Sequence, residues 1–286
     1  MPTWLLGHFS SMILGERRDR ILMRNGIYSN TIHKSVSLRC TMAFFKITYN
    51  EKYRFATLHN FGCTFCCGVC SYKLRSGAHG TPGQSYPQPE KYLTIPEMKR
   101  ALQSISVDTV CFIGGEPSVS KELPEMLDFA KNVLGAKTYL GHTNGSRLPL
   151  PNLNGANVGI KAWNEQVHLQ YTGKPRSLIF DNFAASVRAG LEMKANIVFV
   201  PGLVDVDQIE AVAAWLAALN PEIPLRIMGY IPVPDQPYER PTDEQMSAAK
   251  EACRKHLRNV GISHLTSQEA LDLTNRDDRY VTRKIA

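Results

Sequence analysis

The sequence FGCTFCCGVC, residues 61–70, decides how the rest of this chain is interpreted. It contains four of the seven cysteines in a chain of 286 residues. The apolar stretch near the amino terminus, residues 4–14, has no basic residue before it, so a secretion signal is not indicated. We therefore expect a cytoplasmic protein, in which cysteines this dense indicate a metal site rather than a disulfide framework.

The spacing of these cysteines favours an iron–sulfur cluster. Cys63, Cys67 and Cys70 form C-x3-C-x2-C, and three thiolates on one short loop can hold three irons of a four-iron cluster. The fourth iron then stays open to a small molecule. Cys66 is the alternative to Cys67 and would give C-x2-C-x3-C. A zinc site is a further alternative, although structural zinc often takes two well-separated pairs of ligands.

Downstream of the cysteines, apolar strands alternate with amphipathic helices. Strands are predicted at residues 54–59, 107–113, 137–142, 158–161, 196–200 and 225–231, and helices at 121–133, 177–189, 206–218 and 242–257. Thr242 is the expected N-cap of the last helix, with Gln245 as its capping-box partner. Six βα units in succession predict a parallel sheet whose functional groups lie at the carboxyl ends of its strands.

Charge and hydropathy exclude several other classes of protein. The formal net charge is +7, but the Lys and Arg residues form no dense run, which argues against a nucleic-acid partner. The early apolar stretch is far shorter than the ~20 residues that span a bilayer, so no membrane role is expected. We predict an N-terminal extension over residues 1–42, the α/β body over 43–260 and a C-terminal tail over 261–286.

Short polar or glycine-rich motifs follow the predicted strands in order. They are Gly114-Gly115-Glu116-Pro117 after the second strand, Thr143 and Asn144 after the third, Lys161 at the end of the fourth, and Val200 at the end of the fifth. Glycines permit close backbone approach, and a carboxylate such as Glu116 can accept a charge-assisted hydrogen bond from an amine. Because all these motifs follow strand ends, they predict one composite site with the cysteine loop.

This ordered set of motifs resembles the radical S-adenosylmethionine (SAM) superfamily. The resemblance implies a partial (β/α)6 TIM-like barrel and two cofactors, a [4Fe–4S] cluster on Cys63, Cys67 and Cys70 and SAM itself. It also implies a reaction, in which one-electron cleavage of SAM gives a 5′-deoxyadenosyl radical that abstracts hydrogen from a substrate. The glycine-rich segment around residues 76–89 is then a candidate lid.

Within that superfamily, the chain resembles the glycyl-radical-enzyme activating enzymes, of which pyruvate formate-lyase activase is one. The resemblance implies contacts with the methionine moiety of SAM from the segment Gly114–Pro117, and further SAM contacts from Thr143, Asn144, Lys161 and Val200. It also implies a glycyl-radical enzyme or another protein as substrate, and flavodoxin or ferredoxin as reductant.

Two positions depart from the activating-enzyme pattern. His142 and Gly159 stand where those enzymes commonly carry acidic residues associated with a monovalent cation beside the cofactor carboxylate. A hard cation prefers oxygen ligands, so we expect that cation site to be absent and Lys161 to carry more of the charge compensation. Two alternatives stay open on the sequence: a small-molecule enzyme similar to 7-carboxy-7-deazaguanine synthase, and a non-catalytic iron–sulfur protein.

Overall fold

The strands of this computed structural model, which describes residues 43–77, 83–84 and 88–286, form one open nine-stranded sheet. They are β1 (Ala43–Asn50), β2 (Phe55–Phe61), β3 (Thr109–Ile113), β4 (Lys137–Thr143), β5 (Gly155–Ile160), β6 (Glu192–Phe199), β7 (Leu225–Gly229), β8 (Val260–Ser263) and β9 (Arg283–Lys284). The strand order is β8-β7-β6-β5-β4-β3-β2-β1-β9. Strands β2 to β8 pair in parallel, and β1 pairs antiparallel with both β2 and β9.

Helices connect the strands, as a βα chain requires. They are α1 (Lys73–Ser76), α2 (Ile95–Gln103), α3 (Leu123–Asp128), α4 (Glu165–Thr172), α5 (Arg176–Arg188), α6 (Val206–Leu219), α7 (Asp243–Arg254) and α8 (Ser267–Arg276). A π-helical turn, Phe129–Val133, continues α3. None of the helices in the described ranges has the length and apolar character needed to cross a membrane.

The two faces of the sheet differ in composition. One face packs against the helices and carries the main apolar core, in which Phe112, Leu140, Ile197 and Ile227 are each completely buried. The other face, which we call the inner face, carries a much smaller apolar cluster of Cys111, Ile113 and Tyr139. Apolar burial therefore stabilises the helix-covered face, and the inner face is left to polar side chains.

The structure confirms the predicted α/β architecture, and each of the six predicted strands overlaps one of the strands β2 to β7. The capping box of α7 also forms, with the Thr242 hydroxyl accepting from the Gln245 amide and the Gln245 side chain accepting from the Thr242 amide. The sequence did not predict β1, α1, α2, α4 or the elements after residue 260. The predicted N-terminal extension, and residues 78–82 and 85–87 of the candidate lid, lie outside the described residues.

The segment after residue 260 returns across the molecule to the first strand. Strand β8 pairs with β7, and β9 pairs with β1 through Thr48 and Tyr49. Between them, the Asn50 side chain donates to the backbone carbonyls of Asp278 and Arg279 at 2.9 and 3.2 Å. Both ends of the open sheet are thereby tied by the same C-terminal segment.

Candidate functional site

The cysteine loop begins where β2 ends and lies at the carboxyl edge of the parallel strands. Cys67 is buried, and Cys63 and Cys70 are half-buried. Burial raises the pKa of the Cys63 thiol to about 11 and that of Cys67 to about 12. The charge of Cys70 raises both of these pKa values and the Lys161 ammonium lowers both, so three sulfurs and one lysine share an electrostatic environment.

The three sulfurs do not converge into metal-centre geometry. Within residues 43–77, 83–84 and 88–286, no three His, Cys, Asp or Glu side chains are arranged to hold a metal ion. The donor chemistry nevertheless fits an iron–sulfur cluster, because Cys63, Cys67 and Cys70 offer three thiols from one loop, and the Lys161 ammonium lowers the pKa of Cys63 and of Cys67 against the effect of burial.

Cys66 is placed differently from the other three cysteines of the loop. Its side chain is exposed, and its backbone amide donates to the carbonyl of Thr172 at 2.9 Å. Its Cβ lies against Gly173, at the C-terminal end of α4. The loop is therefore fastened to α4 at the position of Cys66.

A second contact fastens the same loop to α4. The ring of Phe65 meets the ring of His168 edge-on, with centroids 6.1 Å apart. His168 is almost completely buried, and its Nδ1 lies 2.8 Å from the carbonyl oxygen of Lys174. Burial lowers the pKa of His168, so the neutral imidazole is favoured and serves as a packing group.

Glycines bring the segment after β3 into contact with the cysteine loop. Gly114 and Gly115 have φ angles of +84° and +47°, which glycine adopts without strain. A Cβ at Gly115 would lie 1.9 Å from the carbonyl oxygen of Gly62, so no other residue fits there. The Gly115 amide donates to the Tyr72 hydroxyl at 3.0 Å, and the Glu116 amide donates to the Gly62 carbonyl at 2.8 Å. Backbone contacts therefore fix the distance between these two segments.

Glu116 is completely buried and joins the ends of β3 and β4. Its Oε1 accepts from the Ser118 amide at 3.0 Å and from the Thr143 hydroxyl at 2.7 Å, and its Oε2 accepts from the Asn144 amide. Burial raises the pKa of Glu116, while these donors act against that rise. Both carboxylate oxygens are engaged within the protein, so the predicted contact with an amine would compete with these donors.

Asn144 connects the end of β4 with the cysteine loop. Its side-chain amide lies 3.9 Å from the Cys63 sulfur and 3.3 Å from the Thr64 hydroxyl. A bulge at His142, which has a φ of +56°, precedes this turn and breaks the β4–β5 register between Gly141 and Thr143. The structure thus brings Asn144 to the cysteine loop and Thr143 to Glu116 beside it, as expected for one composite site.

Lys161 also reaches this region, and its ammonium lies over Gly159. The Lys161 ammonium lies 3.1 Å from the point where a Cβ on Gly159 would sit, and Asn196 Oδ1 lies 3.5 Å from the same point. The volume above Gly159 is therefore occupied by a positive charge belonging to the chain itself.

Pro117 and Val200 have local contacts. Pro117 is the first residue of a short 3-10 turn and is buried. Val200 is completely buried, and its backbone bonds lie within its own turn, to Leu203 and Val204. Within the described part of the chain these backbone bonds do not reach the cysteine loop, so the role of Val200 toward SAM stays a prediction.

Sequence reasoning missed four side chains that shape the site: Tyr72, His168 in its packing role, Asn196 and Arg226. The aromatic Tyr72 two residues after the last cysteine was an available signal. Asn196 and Arg226 interrupt otherwise apolar strands, and buried polar residues in such strands require a partner or a ligand. The face to which they point follows only from strand register.

The comparisons with known proteins agree with this geometry. The family model of the Radical SAM superfamily matches residues 57–216, more than half of the chain. The chain therefore belongs to the radical SAM superfamily, whose members use a [4Fe–4S] cluster and SAM. It is an enzyme of that superfamily and is similar to its activating enzymes.

One relative, from Methanocaldococcus jannaschii, is provisionally named a glycyl-radical enzyme activating enzyme. It is 28% identical over 217 residues, which cover 72% of this chain and 80% of the relative. A GTP 3′,8-cyclase from Aeromonas hydrophila is 28% identical over 169 residues, covering 55% of this chain and 47% of the cyclase.

Solved structures support the fold. Streptococcus suis SuiB bound to S-adenosylmethionine matches with a TM-score of 0.54 at 14% identity, over 72% of this chain and 48% of SuiB. A radical SAM methyltransferase from Sphaerobacter thermophilus matches with a TM-score of 0.51 at 18% identity, over 73% of this chain and 66% of the methyltransferase. The chain thus spans about half the length of SuiB and of the cyclase. At these identities the structural likeness shows the partial-barrel fold alone.

Proposed function

We propose that Cys63, Cys67 and Cys70 bind the [4Fe–4S] cluster of this enzyme and that Cys66 does not. Two observations support the assignment. The three proposed ligands share one electrostatic environment, in which Lys161 acts on Cys63 and Cys67, whereas Cys66 is exposed and lies against the end of α4. When bound, the cluster supplies the electron that cleaves SAM to methionine and a 5′-deoxyadenosyl radical.

The protein's own residues would position SAM beside that cluster. We assign the carboxylate of SAM to the Lys161 ammonium, because that ammonium faces the cysteine loop and has no ion-pair partner among the described residues. The segment Gly114–Pro117 and the turn at Thr143 and Asn144 would line the cofactor from the other side. Glu116 would act mainly by holding these two segments together, since three protein donors already engage it.

Two substrate classes follow from what the chain resembles. The relative from Methanocaldococcus jannaschii supports a glycyl residue of a partner enzyme. Flavodoxin or ferredoxin as the reductant is part of the same proposal and rests on the resemblance of the motifs to the activating enzymes. A small-molecule substrate is the second candidate, and the polar, cationic inner face of strands β5 to β8 favours it. A non-catalytic iron–sulfur protein is disfavoured, because an electron carrier has no use for a lysine and a glycine-rich turn built around an open cluster site.

The experiment that tests this proposal is cleavage of SAM without a substrate. Anaerobically reconstituted protein, reduced with dithionite, is expected to form 5′-deoxyadenosine and methionine slowly. The products are separated by liquid chromatography and identified by mass. Formation of methylthioadenosine alone, or no cleavage by protein that carries its full complement of iron, would contradict the proposal.

A further inference from the structure

The inner face carries a row of four residues that strand register places side by side. Gly159 pairs with Asn196, Asn196 with Arg226, and Arg226 with Gly261. Paired residues of parallel strands point to the same face, and their sequence neighbours point to the other. Ala195, Ile197 and Ile227, the neighbours in this row, indeed belong to the helix-covered core. The row therefore lies on the inner face, as does Lys161, two residues beyond Gly159.

The two glycines at the ends of the row each lie beside a cation. The Lys161 ammonium lies over Gly159, and Arg226 Nη2 lies 3.6 Å from the point where a Cβ on Gly261 would sit. Asn196, between them, donates its amide to Asn157 Oδ1 at 2.9 Å. The row thus presents one positive charge at each end with an amide in the middle.

The charge of this face is not balanced by acidic residues. Register places Lys194 beside Asn157 on the same face, and the only carboxylate that the strands β5 to β8 add there is Glu192. Within the described residues, no ion pair includes Lys161 or Arg226. The Arg226 guanidinium donates to the Ile262 carbonyl at 3.3 Å, and its Nε is buried without a partner.

A half-buried guanidinium without a carboxylate is costly unless a ligand compensates its charge. Two side chains of the C-terminal segment act on Arg226: Tyr280 favours its charged form, and Arg279 adds positive potential although it is itself paired with Asp277. A planar guanidinium matches the oxygens of a carboxylate or phosphate in a two-point geometry. The inner face at Arg226 therefore has the chemistry of an oxoanion site.

We infer that the inner face at Arg226 binds a carboxylate or phosphate group of a small-molecule substrate, at a site separate from the one at which Lys161 meets SAM. This inference rests on the proposed function, and it names the substrate class of the same enzyme.

Two distances favour a small molecule, rather than a loop of a partner protein, as the ligand at Arg226. Arg226 lies three residues before the end of β7, which places it roughly 10 Å below the carboxyl rim of the sheet at about 3.3 Å per residue. Gly159 and Gly261 are three strands apart, roughly 14 Å along the sheet at ~4.8 Å per strand. A compact molecule anchored at Arg226 can extend from there toward SAM at Lys161.

The test measures anion binding by the reconstituted protein saturated with SAM, so that Lys161 is already occupied. Thermal unfolding is followed anaerobically in sodium phosphate, sodium acetate and sodium chloride at equal ionic strength, because general screening would otherwise imitate binding. Phosphate at roughly tenfold its Kd is expected to raise Tm by about 3 °C relative to chloride. A rise in Tm with acetate as well as with phosphate would show that the site accepts either a carboxylate or a phosphate group. A rise in Tm with phosphate alone would identify the bound group as a phosphate ester.

Three variants make the result specific. Arg226→Met is expected to remove the rise in Tm, and Arg100→Met, which removes the same charge from an exposed position on α2, is expected to retain it. Asn196→Asp keeps Arg226 but places a carboxylate on the adjacent strand, so it is expected to remove the rise as well. This last variant keeps the test decisive if Arg226→Met does not fold.

The inference is overturned if neither phosphate nor acetate shifts Tm relative to chloride, or if Arg226→Met and Arg100→Met respond equally. Its failure is distinct from failure of the proposed function. Anion binding requires no reductant and no cleavage of SAM, so protein that cleaves SAM but binds no anion would overturn only the inference. Protein that binds phosphate but cleaves no SAM would overturn only the proposed function.

Discussion

The two halves of the site are built on different principles. In the half formed by the ends of β2 to β4, glycines and backbone hydrogen bonds bring the cysteine loop, the segment after β3 and the turn after β4 into fixed contact. In the half formed by β5 to β8, polar side chains project from the strands themselves, next to glycines on the adjacent strands. The first half suits a cofactor that every member of the superfamily shares, and the second half can vary with the substrate.

The half formed by the ends of β2 to β4, where backbone contacts set the geometry, should tolerate substitution less well than the other half. Gly115→Ala is expected to destabilise the fold by more than ~3 kcal/mol, because the new methyl would meet the Gly62 carbonyl oxygen as well as requiring a positive φ. Gly135→Ala is the matched control: it also requires a positive φ, but no atom lies within 4 Å of its Cβ. The control should cost only about 1–2 kcal/mol in urea unfolding. Equal losses would show that the close approach at Gly115 contributes nothing.

A substitution at Glu116 tests whether one carboxylate holds the segment after β3 to the turn after β4. Glu116→Gln is expected to lower the free energy of unfolding by about 1–3 kcal/mol at neutral pH, because the amide oxygen can replace only one of the two accepting oxygens and the NH2 group would face a donor. The pH dependence gives a second readout. Burial raises the pKa of Glu116, so the folded protein binds this proton more tightly than the unfolded chain does.

The parent should therefore lose stability, relative to Glu116→Gln, as the pH rises from 4.5 through the raised pKa of Glu116. Urea unfolding of both proteins between pH 4 and 8 measures this difference. An identical slope in the two proteins would mean that Glu116 does not titrate in this interval. A variant as stable as the parent throughout would contradict the role of Glu116 in joining the two segments.

The features of the site that the sequence predicts lie mostly in the half formed by the ends of β2 to β4. The cysteine spacing, the glycines after β3 and the turn after β4 are contiguous motifs, and the structure brings them together. Strand β1 was missed because it precedes the motifs and its pairing is set by its antiparallel neighbour β2. Arg226 and Asn196 were missed because only register shows which face they share. The hydrogen-bond donors to Glu116 depend on the bulge at His142, and no local sequence pattern predicts that bulge.

Lys161 stands between the two halves, and its loss should affect the cofactor. Lys161→Met is expected to weaken SAM binding about ten- to hundredfold, because a charge-assisted hydrogen bond contributes ~1.5–3 kcal/mol. Equilibrium binding to the reconstituted protein measures the change. Lys137→Met, at an exposed position at the start of β4, is the control and should bind SAM as the parent does. Equal affinity in the two variants would remove Lys161 from the SAM site.

The smallest effect concerns monovalent cations. Cleavage of SAM by the parent is expected to differ by less than about twofold between sodium, potassium and a bulky organic cation at fixed ionic strength. His142 is a poor ligand for an alkali metal, and the space above Gly159 holds the Lys161 ammonium. A several-fold stimulation by potassium would show that other oxygen atoms form a cation site, and the argument from Gly159 would be wrong.

The central claim is that three cysteines of the loop hold the cluster while the fourth only fastens the loop to α4. Single Ala variants of Cys63, Cys66, Cys67 and Cys70, reconstituted anaerobically, test it through iron and sulfide content and the absorbance of the thiolate-ligated cluster. We expect Cys66→Ala to retain about four irons per chain and the other three variants to lose most of the cluster. Full retention in Cys67→Ala together with loss in Cys66→Ala would contradict the claim.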